Sequence, residues 1–302
     1  MVKRGSQPWI SNSGQEILEH FHYALRQRDD LQPATVRNYL SDLRQFIAWC
    51  EASWQEGLIP EAEFRLPDLT TPLIAHYRAY LQATLRLKPA SINRMLISIK
   101  RFCAWATERG MLASNPASSV KLVEQEATKQ RYLTAEEERA LLAAVASSRH
   151  TRDQAIIITL LHTGLRAGEL CAVRFDQVHL GHGTGRIEIR DARQTAREIP
   201  LDEPAQEALK LYLPTRPTAA VPLFVAGKTG HPLTERTVGR IVHKYADLAN
   251  LAPISPTDLR HRFGYRMAQT TPLPELARIM GHSSLTATLR YLHPQADEQP
   301  DQ

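Results

Sequence analysis

Cysteine is scarce in this 302-residue chain: Cys50, Cys103 and Cys171 stand far apart and form no CxxC pair. That argues against a disulfide framework or a thiolate metal site and leaves buried thiols in a reducing compartment. Long apolar runs are missing as well, and none approaches the roughly 20 residues of a membrane-spanning helix. The opening Met1-Val2-Lys3-Arg4-Gly5-Ser6 is polar and lacks the apolar core of a signal peptide. A cytoplasmic protein is expected. Neither sign of charge dominates, with 37 Lys+Arg against 32 Asp+Glu, a net charge of +5 and a pI near 9.2. The surplus is spread, 15 basic against 12 acidic residues in 1–125 and 22 against 20 after it. A polyanion contacted by both halves fits that spread.

The length is enough for two ordinary domains, each with its own core. Residues 33–49 and 89–105 echo each other at an offset of 56. Pro33-Ala34-Thr35-Val36 matches Pro89-Ala90-Ser91-Ile92, Leu40 matches Leu96, Phe46 matches Phe102, and Ala48-Trp49 matches Ala104-Trp105. Each copy reads as a helix with Thr35 or Ser91 as N-cap and apolar residues at helical spacing. The pair suggests two similar helices packed in one small domain. Opposite the apolar stripes lie Arg37 and Arg44 in one copy, and Arg94, Lys100 and Arg101 in the other. Such stripes are commonly solvated helix faces; upstream of phosphate chemistry they become candidate DNA contacts.

Residues from about Ser118 to Arg131 are poor in apolar side chains and read as a linker. The expected organisation is an N-terminal domain over 14–120, a linker over 121–131, a second domain over 132–293 and a disordered tail over 294–302. Thr134 and Glu137 have capping-box spacing ahead of Leu141-Leu142 and Val145. Helices are predicted around 152–162, 166–173, 203–213, 234–248, 257–269 and 273–280, and a last one over 284–292. Arg186–Arg190 and Arg197–Leu201 are predicted strands, joined by a polar turn at Asp191–Ala196. The second domain is therefore mainly helical with a small hairpin.

Four groups carry chemistry. Arg166, in Thr163-Gly164-Leu165-Arg166, follows an apolar helix and a glycine, and is placed at the next helix N-terminus, where an anion is favoured. Arg260 lies in Leu259-Arg260-His261-Arg262-Phe263, an apparent helix start. There His261 reads as a packed or surface histidine, and Arg262 as a DNA contact or a solvent-facing side chain. His282 follows Gly281 at a helix end, and Tyr291 stands nine residues later as a partly exposed tyrosine. Each alone has an ordinary structural explanation. Together they form a kit for metal-free attack on a phosphodiester: two guanidiniums to neutralise it, an imidazole to hydrogen-bond it and a phenol nucleophile. Residues 276–291 also look like a helix-turn-helix, the mark of a DNA-binding regulator without chemistry.

The ordered set Thr-Gly-Leu-Arg at 163–166, Leu-Arg-His at 259–261, Gly-His-Ser-Ser at 281–284 and Tyr291 resembles the tyrosine site-specific recombinases, the phage integrase family, in its compact Xer-like form. The resemblance runs from about residue 14 to 293 and includes the pattern at 33–49. It implies a mainly α protein: an all-α, SAM-like core-binding domain and a mostly helical catalytic domain with a small β-hairpin, closing on DNA as a clamp. It also implies double-stranded DNA as partner, a homo-tetramer on paired sites with a sister recombinase as a further partner, a place at the nucleoid in the cytoplasm, and no membrane, metal, ATP or other cofactor.

In that resemblance Arg166 and Arg260 are the phosphate-clamping arginines, His282 the third-motif histidine and Tyr291 the nucleophile. Two positions depart. Thr257 stands where the family usually has a histidine three residues before the second arginine. No lysine lies between Ile187 and Leu201, where the family usually carries one, and Arg193 is the nearest replacement, flanked by Arg190 and Arg197. A guanidinium is a poor acid, and a threonine hydroxyl can hydrogen-bond a phosphate without accepting its proton. The expected function is site-specific recombination through a 3′-phosphotyrosyl bond. A catalytically weak, recombinase-derived DNA-binding protein, a helix-turn-helix regulator and a topoisomerase-like enzyme that cuts and religates one duplex are the alternatives.

Overall fold

The computed structural model describes residues 7–28, 31, 33–56, 63–124, 133–183, 185–190, 196–217, 219–227, 230–282 and 284–292. The chain divides into two compact units, Met1–Lys129 and Gln130–Gln302. Most of the expected linker, most of the expected polar turn bearing Arg193, and the tail over 294–302 lie outside the described residues. Among the described residues no helix is long and apolar enough to cross a membrane.

The first unit contains α1 (Asn12–Arg26), α2 (Pro33–Glu56), α3 (Thr71–Ala83) and α4 (Pro89–Glu108). Gly14, Leu18, Phe21 and Leu25 form the buried stripe of α1, at the spacing that keeps side chains on one helix face. The echo at 33 and 89 is realised as α2 and α4, whose Phe46 and Phe102 are fully buried in one core. Thr35 and Ser91 are not their N-caps. Both helices begin at the proline itself, and Lys88 caps α4. Proline has no N–H to leave unsatisfied in the first turn and brings a helical φ, so it takes the first position.

Several residues of the expected basic stripe are tied into the unit. Arg94 Nη1 lies 2.6 Å from both carboxylate oxygens of Asp42, and Ser98 Oγ donates to the same group at 2.8 Å. Burial pushes the Asp42 carboxyl above its usual pKa, against the pull of Ser98 and Arg94. Arg44 donates to Gln15 Oε1, and Lys100 Nζ to the carbonyls of Ala117 (2.6 Å) and Ser118 (2.9 Å). Arg101 donates to the Tyr39 hydroxyl at 3.1 Å and lies over its ring. Of the five, Arg37 stands exposed, with no such bond among the described residues. The stripe is thus largely a set of internal ties.

The second unit runs α5 (Ala135–Ser147), α6 (Thr151–Thr163), α7 (Ala167–Ala172), β1 (Val178–His179), β2 (Gly185–Arg190), β3 (Ala196–Leu201), α8 (Glu203–Tyr212), β4 (Val225–Ala226), β5 (His231–Pro232), α9 (Glu235–Leu248), α10 (Pro256–Ala268), α11 (Leu273–Met280) and α12 (Thr286–Leu289). The Thr134–Glu137 capping box forms as its spacing requires. Strands β1, β2 and β3 make one antiparallel sheet with Ile187 opposite Ile199, both fully buried; β4 and β5 make a small second sheet. The core joins Ile156, Ile157, Leu160 and Leu161 of α6 to Leu209 of α8, Val242 of α9, Leu259 of α10 and Leu276 of α11. Glu138 of α5 accepts from Arg262 Nε at 2.6 Å and Arg266 Nη1 at 3.0 Å of α10. Arg262 is therefore an internal ion-pair residue in this structure, not the DNA-facing side chain expected. The last helix is also shorter than predicted, and Tyr291 follows it in a turn instead of closing it.

Candidate active site

Two helix C-termini build the centre of the site. The last carbonyls of an α-helix lack intrahelical donors and carry the negative end of its dipole, so they attract cations. Helix α11 ends at Gly281, in the left-handed conformation at φ 64°. The carbonyls of its final residues receive three arginines. Ile279 O accepts from Arg197 Nε at 3.1 Å, Met280 O from Arg260 Nη2 at 2.7 Å, and Gly281 O from Arg166 Nη2 at 2.9 Å. Helix α6 adds the carbonyl of its C-cap Gly164, which accepts from Arg260 Nη1 at 2.5 Å. Gly281 is required twice, for its positive φ and because a Cβ there would come within 2.7 Å of Arg197 Cζ.

One carboxylate lies among these cations. Glu169 Oε1 is 2.9 Å from Arg166 Nη1 and 2.9 Å from Arg197 Nη2, and its Oε2 accepts the backbone N–H of Arg166 at 2.9 Å. Burial would push the Glu169 carboxyl up; the Arg166 N–H, with Arg197 and Arg166, outweighs that and holds it below its ordinary value. Burial, with the Arg166 charge beside it, lowers Arg260 to about 10, which leaves it protonated at neutral pH. Three guanidiniums against one carboxylate leave a surplus of two positive charges. An exposed edge remains available, since the Arg166 side chain is 47% exposed.

His282 follows directly on Gly281, its backbone N–H bonded to Ala277 O at 2.9 Å. Its Nδ1 lies 2.8 Å from Oγ1 of the fully buried Thr288, which fixes the ring. Burial, then the charges of Arg260, Arg166 and Arg290, lower its pKa to about 4. The imidazole is neutral at neutral pH and able to hydrogen-bond an anion.

Tyr291 is 3% exposed, contrary to the partly exposed tyrosine expected. Its ring stacks on His282 (centroids 6.1 Å apart, 14° between planes) and meets Tyr265 edge-on at 5.1 Å. A Cβ on Gly264 would stand 2.7 Å from ring atoms, so that glycine forms the floor of the slot. The phenol hydroxyl lies 3.0 Å from His261 Nδ1.

The structure therefore brings together Arg166, Arg260, His282 and Tyr291. Thr257 is exposed in the first turn of α10, and no hydrogen bond ties it to the cluster among the described residues. Arg193 falls outside the described residues. Arg197, named in sequence only as a flank of Arg193, is half of an ion pair in the centre of the site. Glu169 and Thr288 were not singled out, although Glu169 has N-cap+3 spacing from Arg166, which is a readable signal.

Residues 131–298 match the phage integrase family and residues 18–110 match the phage integrase N-terminal SAM-like domain. The chain is 30% identical over 294 residues to the tyrosine recombinase XerC of Mycobacterium sp. (strain KMS), covering 92% of this chain and 94% of that protein. It is 30% identical over 288 residues to the XerC of Pelobacter propionicus, with 93% and 92% covered. In fold it is similar to the Tn1549 transposon integrase in complex with circular intermediate DNA, at TM-score 0.70 and 21% identity over 93% of this chain and 96% of that one. A lambda integrase dimer bound to a COC′ core site gives TM-score 0.72 and 19% identity, covering 95% and 98%.

Proposed function

The chain belongs to the phage integrase family of tyrosine recombinases, and we propose that it performs site-specific DNA recombination with Tyr291 as the nucleophile. The observation that carries this is the packing of Tyr291 against His282 beside three arginines held by the end of α11.

The Tyr291 hydroxyl oxygen attacks a scissile phosphate, forming a 3′-phosphotyrosyl bond and releasing a 5′-hydroxyl. A partner strand's 5′-hydroxyl then attacks that bond, so the bond energy is conserved and no nucleotide is consumed. The diester carries one negative charge and the pentacoordinate transition state approaches two, which the surplus of two positive charges at Arg166, Arg197, Arg260 and Glu169 complements. These charges are fixed before the reaction, and removing one such group typically raises a barrier by about 3 kcal/mol. Neutral His282 donates a hydrogen bond to a non-bridging oxygen, Thr257 hydrogen-bonds a phosphate oxygen, and Arg193 serves the leaving-group side.

Exchange between two duplexes cuts four strands, and one tyrosine per strand implies a tetramer on paired sites, with a sister recombinase able to occupy two of the four positions. Of the five stripe residues, Arg37, exposed on α2, is the one assigned to a phosphate contact.

A nicked suicide substrate carrying a site recovered from a random DNA pool tests the reading. Wild-type protein should form a denaturant-resistant adduct and Tyr291→Phe should bind without forming it. Exchange should require two sites. Relaxation of one duplex without exchange would assign topoisomerase-like chemistry instead, and a Tyr291→Phe adduct would remove Tyr291 from the role.

A further inference from the structure

One histidine touching the nucleophile is not used in the mechanism above. His261 is 6% exposed, follows Arg260 on α10, and places Nδ1 3.0 Å from the Tyr291 hydroxyl. It stands four residues after Thr257, one helical turn further along the same face. Thr257 cannot accept a proton near neutral pH, and it is exposed with no hydrogen bond to the cluster among the described residues, whereas His261 meets the attacking oxygen directly.

We propose that His261 is the general base that takes the Tyr291 proton during cleavage and returns it during rejoining; this rests on Tyr291 being the nucleophile. The hydroxyl proton passes to Nδ1 of the neutral imidazole as the phenol oxygen bonds to phosphorus. The bond from phosphorus to O5′ breaks, its electron pair leaves with O5′, and O5′ takes a proton from solvent. One proton is thus held on His261 and one consumed at the leaving group. In rejoining, the oxygen of the incoming 5′-hydroxyl bonds to phosphorus as its proton passes to solvent, the phosphorus–phenol bond breaks, and His261 gives its proton to the departing Tyr291 oxygen.

Several features suit the group to this task. Burial lowers its pKa below the usual histidine value, reinforced by Arg290 and Arg260 and opposed by Asp258, so the base form is present at neutral pH. The other titratable groups around it are His282, Tyr265 and Tyr291 itself. The phenol ring is clamped between Gly264, Tyr265 and His282, so its oxygen is held toward Nδ1 before DNA arrives. A base positioned this way contributes about 10²–10⁴-fold.

A packing role and a base role separate in His261→Asn. The asparagine Oδ1 takes roughly the place of Nδ1 and accepts the phenol hydrogen bond, but does not take the proton. Single-turnover adduct formation on the nicked substrate should fall about 100-fold or more at pH 7 with site binding retained, and rejoining from preformed adduct should fall in parallel. The variant's rate should climb about tenfold per pH unit as hydroxide replaces the base. Cleavage within about 3-fold of wild type and an unchanged pH profile would reduce His261 to packing. Should the variant lose DNA binding, wild-type protein still decides the matter through histidine 15N shifts. Nδ1 of His261 without a proton is expected, and a protonated Nδ1 at neutral pH would overturn the base role. Absence of any wild-type adduct would overturn both readings, whereas an adduct lost in Tyr291→Phe but kept in His261→Asn overturns this one alone.

Discussion

Arg197 Nη2 lies 2.9 Å from Glu169 Oε1, joining a β-strand to a short helix at the centre of the site. The same carboxylate oxygen holds Arg166 Nη1 at 2.9 Å, so one negative charge spaces two guanidiniums that would otherwise repel. Stabilising a developing negative charge requires cations held in place, and this ion pair is part of what holds these two.

Glu169→Gln keeps the shape and removes the charge. Single-turnover cleavage should fall on the order of 100-fold, with site binding less affected. The Glu169 pKa is depressed in the folded protein, so its contribution to stability is present above the unfolded carboxyl value of about 4.3 and is lost as pH falls through the folded one. The variant should show a flatter acid limb in melting temperature against pH. A wild-type cleavage rate in Glu169→Gln would mean that helix carbonyls alone orient the arginines.

Arg193 and Arg197 should separate on a 5′-bridging phosphorothiolate, whose sulfur leaves without protonation. Arg193→Ala is expected to be slow on the normal diester and largely restored on the sulfur substrate. Arg197→Ala should be slow on both, because Arg197 is anchored to Ile279 O and Glu169 and supplies fixed charge. Rescue of Arg197→Ala by sulfur would exchange the two assignments.

Gly264→Ala adds a methyl group 2.7 Å from the Tyr291 ring. Overpacking of this kind costs about 1–3 kcal/mol, and the ring can escape only by leaving its slot. The variant should melt a few degrees lower, bind the site and form adduct slowly. Full-speed cleavage would show that the phenol reacts from somewhere other than the slot.

His282 should titrate near 4 in the DNA-free protein, followed by NMR of its ring protons. Its folded pKa lies below the unfolded value of about 6.5, so the unfolded chain binds the extra proton first. Stability should therefore rise with pH between about 4 and 6.5. Bound DNA phosphate should move the titration upward, and a titration near 6.5 without DNA would contradict the burial beside Arg260 and Arg166.

Much of this protein is local information. Glycine after an apolar helix located the ends of α6 and α11, and the capping box located the start of α5. Two short runs joined by a polar turn marked β2 and β3, and the spacing of Arg166, Arg260, His282 and Tyr291 pointed to phosphodiester chemistry before any contact was known. These signals are legible because caps, periodicity and motif spacing are set by residues within a turn or two of one another.

The tertiary structure decided which of these residues work together. Arg94, Lys100 and Arg262 looked like basic surface until Asp42, the 117–118 carbonyls and Glu138 were brought against them. Arg197 reached the site because β3 runs beside the end of α11, and His261 met Tyr291 because the turn after α12 folds the phenol back over Gly264. Sequence periodicity says which face of an element is apolar; it carries no record of which distant carbonyl, carboxylate or hydroxyl a polar side chain will find. Those partners are fixed by packing between elements far apart in the chain, and in this protein that packing sets the charge and protonation of the site and the aim of the Tyr291 hydroxyl.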